Sequence, residues 1–270
     1  TLGNFISFKT NAQEKNLIFK KYTATDGLKG DLVNCFAEDK NGFIWIGTSE
    51  GLSRFDGREF LHFAKNGKSV NEISGNVITS LYIDTTQTMW IATRDGGLCK
   101  MNLSAKKFTT IKCEANIKNQ PININCIKVS PGGRLFIANE KNKLMYIDMY
   151  DSNNQRIKIY DKDVNTCYTI FPINNEFIYS SGINGGLVIV RNHTSNYVEQ
   201  FNDKKKTFGG NTITAIVKDN NSNIWCGSWD NALHLFDTLG NKKASYIFNN
   251  QTELNGESDE ISCLTWIDQN

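Results

Sequence analysis

The apolar positions of this chain fall in short runs rich in β-branched and aromatic residues, each closed by a polar cluster holding Asp, Asn or Gly. Leu32 to Glu38 is followed by Asp39-Lys-Asn-Gly42, then Ile44 to Thr48, then Gly51 to Asp56. Runs of that length and composition predict β-strands. Asn41-Gly42 supplies the positive φ that a tight hairpin requires. Apolar residues spaced at the helical period are nearly absent. Alternation within the runs is partial, as expected of inner strands buried on both faces.

The runs repeat. Leu32 to Asp39, Ile44 to Thr48 and Gly51 to Asp56 match Val77 to Asp84, Met89 to Thr93 and Gly97 to Asn102. They match again at Thr212 to Asp219, Ile224 to Ser228 and Ala232 to Asp237. Weaker copies lie between, at Ile124 to Ser130 with Leu135 to Asn139, and at Val164 to Phe171 with Phe177 to Ser181. A marker aromatic falls at Trp45, Trp90, Phe136, Tyr179 and Trp225, with spacings of 45, 46, 43 and 46 residues. That period belongs to propeller blades. Each unit resolves into four strands, a to d: the run ending in Asp, the Trp-centred pentapeptide, the Gly-Leu run, and a Phe-containing segment such as Glu59 to Phe63 or Lys107 to Ile111.

The expected fold is all-β, a β-propeller of four-stranded antiparallel blades whose faces bury one another. A polar N-terminal segment spans 1–16, and the propeller spans 17–270. Five complete blades are expected over about 32–63, 76–111, 124–160, 164–201 and 211–248. Leu17 to Tyr22 reads as an isolated strand d and 259–270 as the start of a further blade, so the ring is expected to be part of a larger, seven-bladed one. On this reading the chain is an N-terminal fragment of a longer protein, because an open ring exposes an apolar blade face and sheet edges.

The segment Asp39 to Asp56, Asp-x-x-Gly-x-Ile-Trp-Ile-Gly-Thr-x-x-Gly-Leu-x-x-Phe-Asp, resembles the two-component-regulator propeller repeat. The lead-in Asp26-Gly-Leu28 with Gly30 to Val33 matches as well, and is echoed at Ile73 to Val77 and Gly210 to Ile213. The resemblance runs from about Leu17 to the end, sharp in the first, second and last complete units. It implies the periplasmic sensor region of a hybrid two-component histidine kinase and response regulator of Bacteroides-like bacteria. In such proteins two seven-bladed propellers are usually followed by an immunoglobulin-like domain, a membrane helix and the kinase. It further implies a non-catalytic segment, sensing of glycan-derived oligosaccharides to control transcription, and a homodimer joined to the rest of the ectodomain.

Composition removes other classes. Thirty basic against 28 acidic residues give a formal charge of +2, with no basic stripe to draw nucleic acid or an anionic membrane. No run of 18 apolar residues is present, and Thr1 to Lys15 lacks a signal-peptide layout. The seven cysteines form no Cys-x-x-Cys pair, so no metal site and no cofactor are expected. Cys35, Cys126, Cys167 and Cys263 align at one position of strand a, where Ser80 and Ala215 stand in other units. A small residue is required there, and free thiols rather than disulfides are expected. The repeated Asp39, Asp84, Asp219 and Asp268 read as turn formers. His62, His193 and His234 assemble no catalytic constellation.

Strands that alternate in direction put the b–c loops and d–a connections on one end of the ring. The a–b and c–d turns lie on the other. Variable loops on a rigid scaffold carry recognition. The candidate ligand site is therefore the b–c end: Trp229 and Asp230, Arg94 and Asp95, Glu50, and Asn184. An aromatic face beside carboxylate and amide groups suits a sugar ring and its hydroxyls. Trp45, Trp90 and Trp225 are expected in the core. A propeller lyase or glycosidase acting on polysaccharide is the alternative, as is a protein-docking scaffold.

Overall fold

The structure is a computed structural model. It describes residues 20–114, 122–139, 144–151, 155–161, 167–173, 176–181, 187–191, 194–199, 212–228 and 232–247, with 261 and 264. Among the described residues twenty strands form five sheets, each antiparallel and hydrogen-bonded in chain order. The first blade is β1 (Val33–Glu38), β2 (Ile44–Thr48), β3 (Leu52–Phe55) and β4 (Phe60–Phe63); the second is β5 (Ile78–Ile83), β6 (Thr88–Thr93), β7 (Gly97–Asn102) and β8 (Lys107–Thr110). The third is β9 (Ile124–Val129), β10 (Arg134–Asn139), β11 (Leu144–Asp148) and β12 (Lys158–Asp161). The fourth is β13 (Cys167–Ile173), β14 (Glu176–Ser181), β15 (Leu187–Arg191) and β16 (Thr194–Glu199). The fifth is β17 (Ile213–Lys218), β18 (Ile224–Ser228), β19 (Ala232–Phe236) and β20 (Lys242–Ile247). The only helical turn among the described residues is a 3-10 turn at Ala24–Asp26. The architecture is a β-propeller.

Apolar burial lies between blades rather than within them. Trp45 of the first blade joins Ile78, Met89, Ile91 and Met101 of the second. Trp90 joins Ile127, Leu135 and Ile137 of the third, and Phe136 joins Cys167, Ile170 and Val188 of the fourth. Trp45, Trp90 and Phe136 thus each face the blade that follows. Trp45 and Trp90 are fully buried. Trp225 departs from the expected burial and is half-buried. Its ring stacks on Tyr246 of its own blade, 6.0 Å between centroids. Of the segment following the fifth blade, only Ile261 and Leu264 are among the described residues.

The repeated Asp does more than form a turn. Trp45 Nε1 donates to Asp39 Oδ2 at 2.9 Å, Trp90 Nε1 to Asp84 Oδ2 at 3.1 Å, and Trp225 Nε1 to Asp219 Oδ2 at 3.0 Å. The other carboxylate oxygen accepts turn amides, those of Asn41 and Phe43 in the first blade and of Thr86 and Thr88 in the second. One side chain therefore closes the a–b turn and satisfies an indole N–H that packing has removed from water. The third blade carries Phe136, which has no such donor, and there the Asp is replaced by Ser130. Ser130 Oγ still accepts the Arg134 amide at 3.2 Å, keeping the turn.

The innermost strands require small side chains on both partners. Cys35 pairs with Gly47, Ser80 with Ala92, Cys126 with Ala138, and Ala215 with Gly227. Cys167 does not join this column as expected: it pairs with Ser181 ahead of a register shift, at the position that Ile78, Ile124 and Ile213 hold in their blades. A β-carbon at Gly47 would stand 2.5 Å from Cys35 Sγ and 2.6 Å from Ile78 Cγ2 of the next blade. One at Gly227 would collide with Ile261. The described cysteines are free, and Cys263 lies outside the described residues. Burial pushes the Cys35 thiol up to about 12 and that of Cys126 to about 11. Both are therefore held neutral at physiological pH, which suits small apolar spacers.

Adjacent inner strands are also joined by side chains. Asn34 Nδ2 donates to Ile78 O at 2.7 Å, Thr79 Oγ1 to Ile124 O at 2.8 Å, and Asn125 Nδ2 to Cys167 O at 2.8 Å. Thr214 Oγ1 donates to Ile261 O in the same way. Blade angle around the axis is thus set by a polar relay near the centre and by aromatics further out. Of the strand expected over 17–22, Lys20 to Tyr22 are described. They run without regular structure, and Tyr22 packs edge-on against Phe55 at 4.9 Å and Phe60 at 5.8 Å.

Candidate functional site

The b–c end holds three of the expected site residues among those described. Arg94 and Asp95 occupy the β6–β7 loop and Glu50 the β2–β3 loop, all exposed. Trp229, Asp230 and Asn184 lie outside the described residues. Asp95 is committed to the fold: its oxygens accept the Asn76 amide at 2.9 Å and the Val77 amide at 3.0 Å. Gly75 leaves no room for a β-carbon beside that carboxylate. The contact latches the connection between blades to the b–c loop. Glu50 holds the corresponding place in the first blade, where a β-carbon at Gly30 would stand 3.2 Å from its Cβ and Cγ. The latch accounts for the Asp95 carboxylate without invoking a ligand.

A smaller cavity of about 360 Å³ lies under the β4–β5 connection, between Lys29, His62, Lys68 and Glu72. Its roof is structural. The Glu72 carboxylate accepts the Asn66 and Gly67 amides at 3.0 Å each. The Asn71 side chain bonds both the Phe108 amide at 2.8 Å and the Lys106 carbonyl at 3.2 Å. That pairing occupies the outer edge of β8 and blunts it against strand addition.

No catalytic constellation assembles among the described residues. Ser53 Oγ meets His62 Nδ1 at 2.9 Å, which superficially suggests an activated serine. The same cross-strand pair recurs reversed in the fifth blade, His234 on β19 against Ser245 on β20, also at 2.9 Å. A pair that can exchange strands between blades is sheet packing, because a triad needs the histidine's second nitrogen oriented by a carboxylate. Among the described residues no group of three or more His, Cys, Asp or Glu could hold a metal ion.

A cavity of about 950 Å³ lies on the axis and opens at the other end, where the a–b and c–d turns are. The later halves of β5, β9, β13 and β17 line it, with Leu264. Tyr82, Lys128 and Tyr150 give it its polar and aromatic character. None of the three was read from the sequence as a site residue. The signal available was a break in the repeat. Opposite the strand-b aromatics stand Ala37, Tyr82, Lys128 and Val217, a column of no constant chemistry. In the fourth blade the register is one residue off the sequence expectation: Phe171 opposite Ile178 takes this position, and Ile170 opposite Tyr179 takes the buried one beside it.

Three stretches of the chain, 27–50, 72–95 and 207–230, match the family described as two component regulator propeller. Over 73 residues the chain is 37% identical to histidine kinase P4 of Formosa agariphila, covering 27% of this chain and 5% of that protein. The extracellular domain of the hybrid two-component system BT3049 of B. thetaiotaomicron superposes with a TM-score of 0.69 at 24% identity. That match covers 87% of this chain and 33% of the other. The extracellular domain of BT4673, from the same organism, superposes with a TM-score of 0.60 at 18% identity, covering 80% and 28%. The chain thus spans about a third of the extracellular domain it matches first and a twentieth of the kinase.

Proposed function

We propose that this chain, a run of two-component-regulator propeller repeats, is the ligand-binding part of an extracytoplasmic sensor that binds a glycan-derived oligosaccharide without transforming it. The observation that carries the reading is the coincidence of three repeat matches with a superposition on the extracellular domain of a hybrid two-component system. The rest of such a protein is a membrane-anchored hybrid histidine kinase acting as a homodimer, and ligand binding biases its arrangement by differential affinity. The absence of an oriented nucleophile or acid pair among the described residues supports binding over turnover. An amphipathic axial cavity of about 950 Å³ on a rigid ring supports a small-molecule ligand over a docked protein.

The test is calorimetric titration of the complete ectodomain with a panel of neutral and acidic tri- to hexasaccharides, followed by chromatography of the recovered sugars. Saturable binding of at least one member, recovered intact, is expected. Recovery of shortened or unsaturated products would establish a propeller lyase or glycosidase instead. No binding by any member would overturn the oligosaccharide reading.

A further inference from the structure

The geometry points to the axial cavity, at the end carrying the a–b and c–d turns, as the saccharide site, with Tyr150 as the stacking platform and Tyr82 and Lys128 as hydrogen-bonding groups. The inference rests on the sensor reading above and places its site at the end opposite the b–c loops.

The argument starts from what a repeat scaffold demands. The positions that hold the blades together are nearly constant in kind: small pairs at the inner crossing, an aromatic on strand b, an Asp or Ser at the turn. The residue opposite the strand-b aromatic is free of that demand, being Ala37 in the first blade and Val217 in the fifth. In the second and third blades it is Tyr82 and Lys128, next to each other around the axis and both lining the cavity. The Tyr82 ring packs partly against the core between the second and third blades, but its hydroxyl and the Lys128 ammonium are not needed for that packing at a position that tolerates alanine. Lys128 is exposed and makes no ion pair among the described residues.

Tyr150 completes the group from the β11–β12 turn. It is 58% exposed, yet the turn backbone is shaped to seat it. Gly133 has φ +77, and a β-carbon there would stand 2.6 Å from Tyr150 Cε2. The ring therefore lies against a glycine that leaves it space. Burial against the third blade pushes the Tyr82 phenol above its ordinary value, and the neighbouring Tyr150 and Asp84 add to this. Tyr82 is accordingly a hydrogen-bond donor at neutral pH. Exposed Thr85 in the β5–β6 turn adds a hydroxyl at the same mouth.

The chemistry selects a polyhydroxylated ring. A seated aromatic offers its face to the axial C–H groups of a pyranose, while a phenol, a hydroxyl and an ammonium meet the equatorial oxygens. An aliphatic ligand would strand the ammonium and phenol without partners, and a free anion would make no use of the ring. The volume holds a short oligosaccharide.

The experiment uses the complete ectodomain and the tightest-binding member of the oligosaccharide panel above. Tyr150→Ala is expected to weaken binding on the order of threefold to tenfold, the loss of one stacked aromatic. Lys128→Ala is expected to weaken it by a similar or larger factor. Leu239→Ala, which removes an exposed apolar side chain from the equivalent turn of the fifth blade, serves as the control and is expected to leave affinity unchanged. Tyr150→Phe, which keeps the ring, is expected to retain most of the affinity, whereas a variant that merely misfolds would lose it. Wild-type affinity in both Tyr150→Ala and Lys128→Ala would overturn the placement and leave the sensor reading standing. A loss confined to Arg94→Ala would do the same and move the site to the b–c end. Failure of the wild type to bind any sugar would overturn both.

Discussion

The bond between the strand-b indole and the Asp six residues before it is the most informative single contact in the molecule. Asp39, Asp84 and Asp219 were legible as turn residues, because an Asp that recurs at the end of strand a, where a hairpin must follow, carries its own warrant. Their partnership with tryptophan was not, since a spacing of six residues within a hairpin has no familiar local signature. The sequence does hold a clue: where the Trp becomes Phe136, the Asp becomes Ser130. That paired change defines an experiment. Asp84→Ser leaves the Trp90 indole N–H buried with a shorter side chain at the turn, and is expected to cost about 1–3 kcal/mol. Trp90→Phe leaves the Asp84 oxygen without its indole partner and also loses packing. The double variant recreates the third blade's pair and should cost less than the sum of the single changes, by on the order of 1 kcal/mol. Urea midpoints of the four proteins measure this. Strict additivity would mean the hydrogen bond contributes nothing beyond its two separate side chains.

At the scale of the strand, the repeat predicted which residues form elements, because β-branched runs between turn signals need no tertiary information. It also pointed to the small-residue column, since Cys35, Ser80, Cys126 and Ala215 line up in sequence. The facing column, Gly47, Ala92, Ala138 and Gly227, becomes apparent only once the register of the a–b pair is known. Spacing between blades is tuned there one methyl at a time. Gly47→Ala would put a carbon into the contact between Cys35 and Ile78, where 2.5 and 2.6 Å separations leave it no room. A cost of about 1–3 kcal/mol is expected from overpacking, outweighing the gain of under about 1 kcal/mol from stiffening the unfolded chain. Alanine is native at the same position in the second and third blades, so Ala92→Gly should also destabilise, by about 0.5–1 kcal/mol. Denaturation midpoints that rise for Gly47→Ala would show that the inner strands can spread without penalty. The candidate site was less legible for the same physical reason. Loops were judged by their chemistry alone, and Asp95, chemically apt for a ligand, turned out to bind backbone amides. Tyr82 sat inside a strand and drew no notice.

Across the whole array, each blade is stabilised by the one that follows and the one that precedes it, so a residue's worth depends on where in the ring its copy stands. Phe36, Leu81, Ile127 and Ile216 occupy one repeat position, opposite the residue after the strand-b aromatic. Leu81 packs into the cluster around Trp45, and Ile127 into the cluster around Trp90 at 2% exposure. Phe36 is 63% exposed, since the first blade presents it to the side facing away from the second. Sequence periodicity assigns all four the same role and cannot separate them, because burial at this position is supplied by a neighbour rather than by the blade itself. Ile127→Ala is therefore expected to cost about 2–4 kcal/mol, the loss of a buried branched side chain with a cavity left behind. Phe36→Ser should change the stability of this chain by under about 1 kcal/mol, in keeping with an exposed site. Urea unfolding of the two variants, followed at more than one protein concentration, separates the contributions. A large cost for Phe36→Ser that grew with concentration would mean that a second copy covers the first blade's open face in solution. A large cost independent of concentration would mean that residues of the same chain cover it.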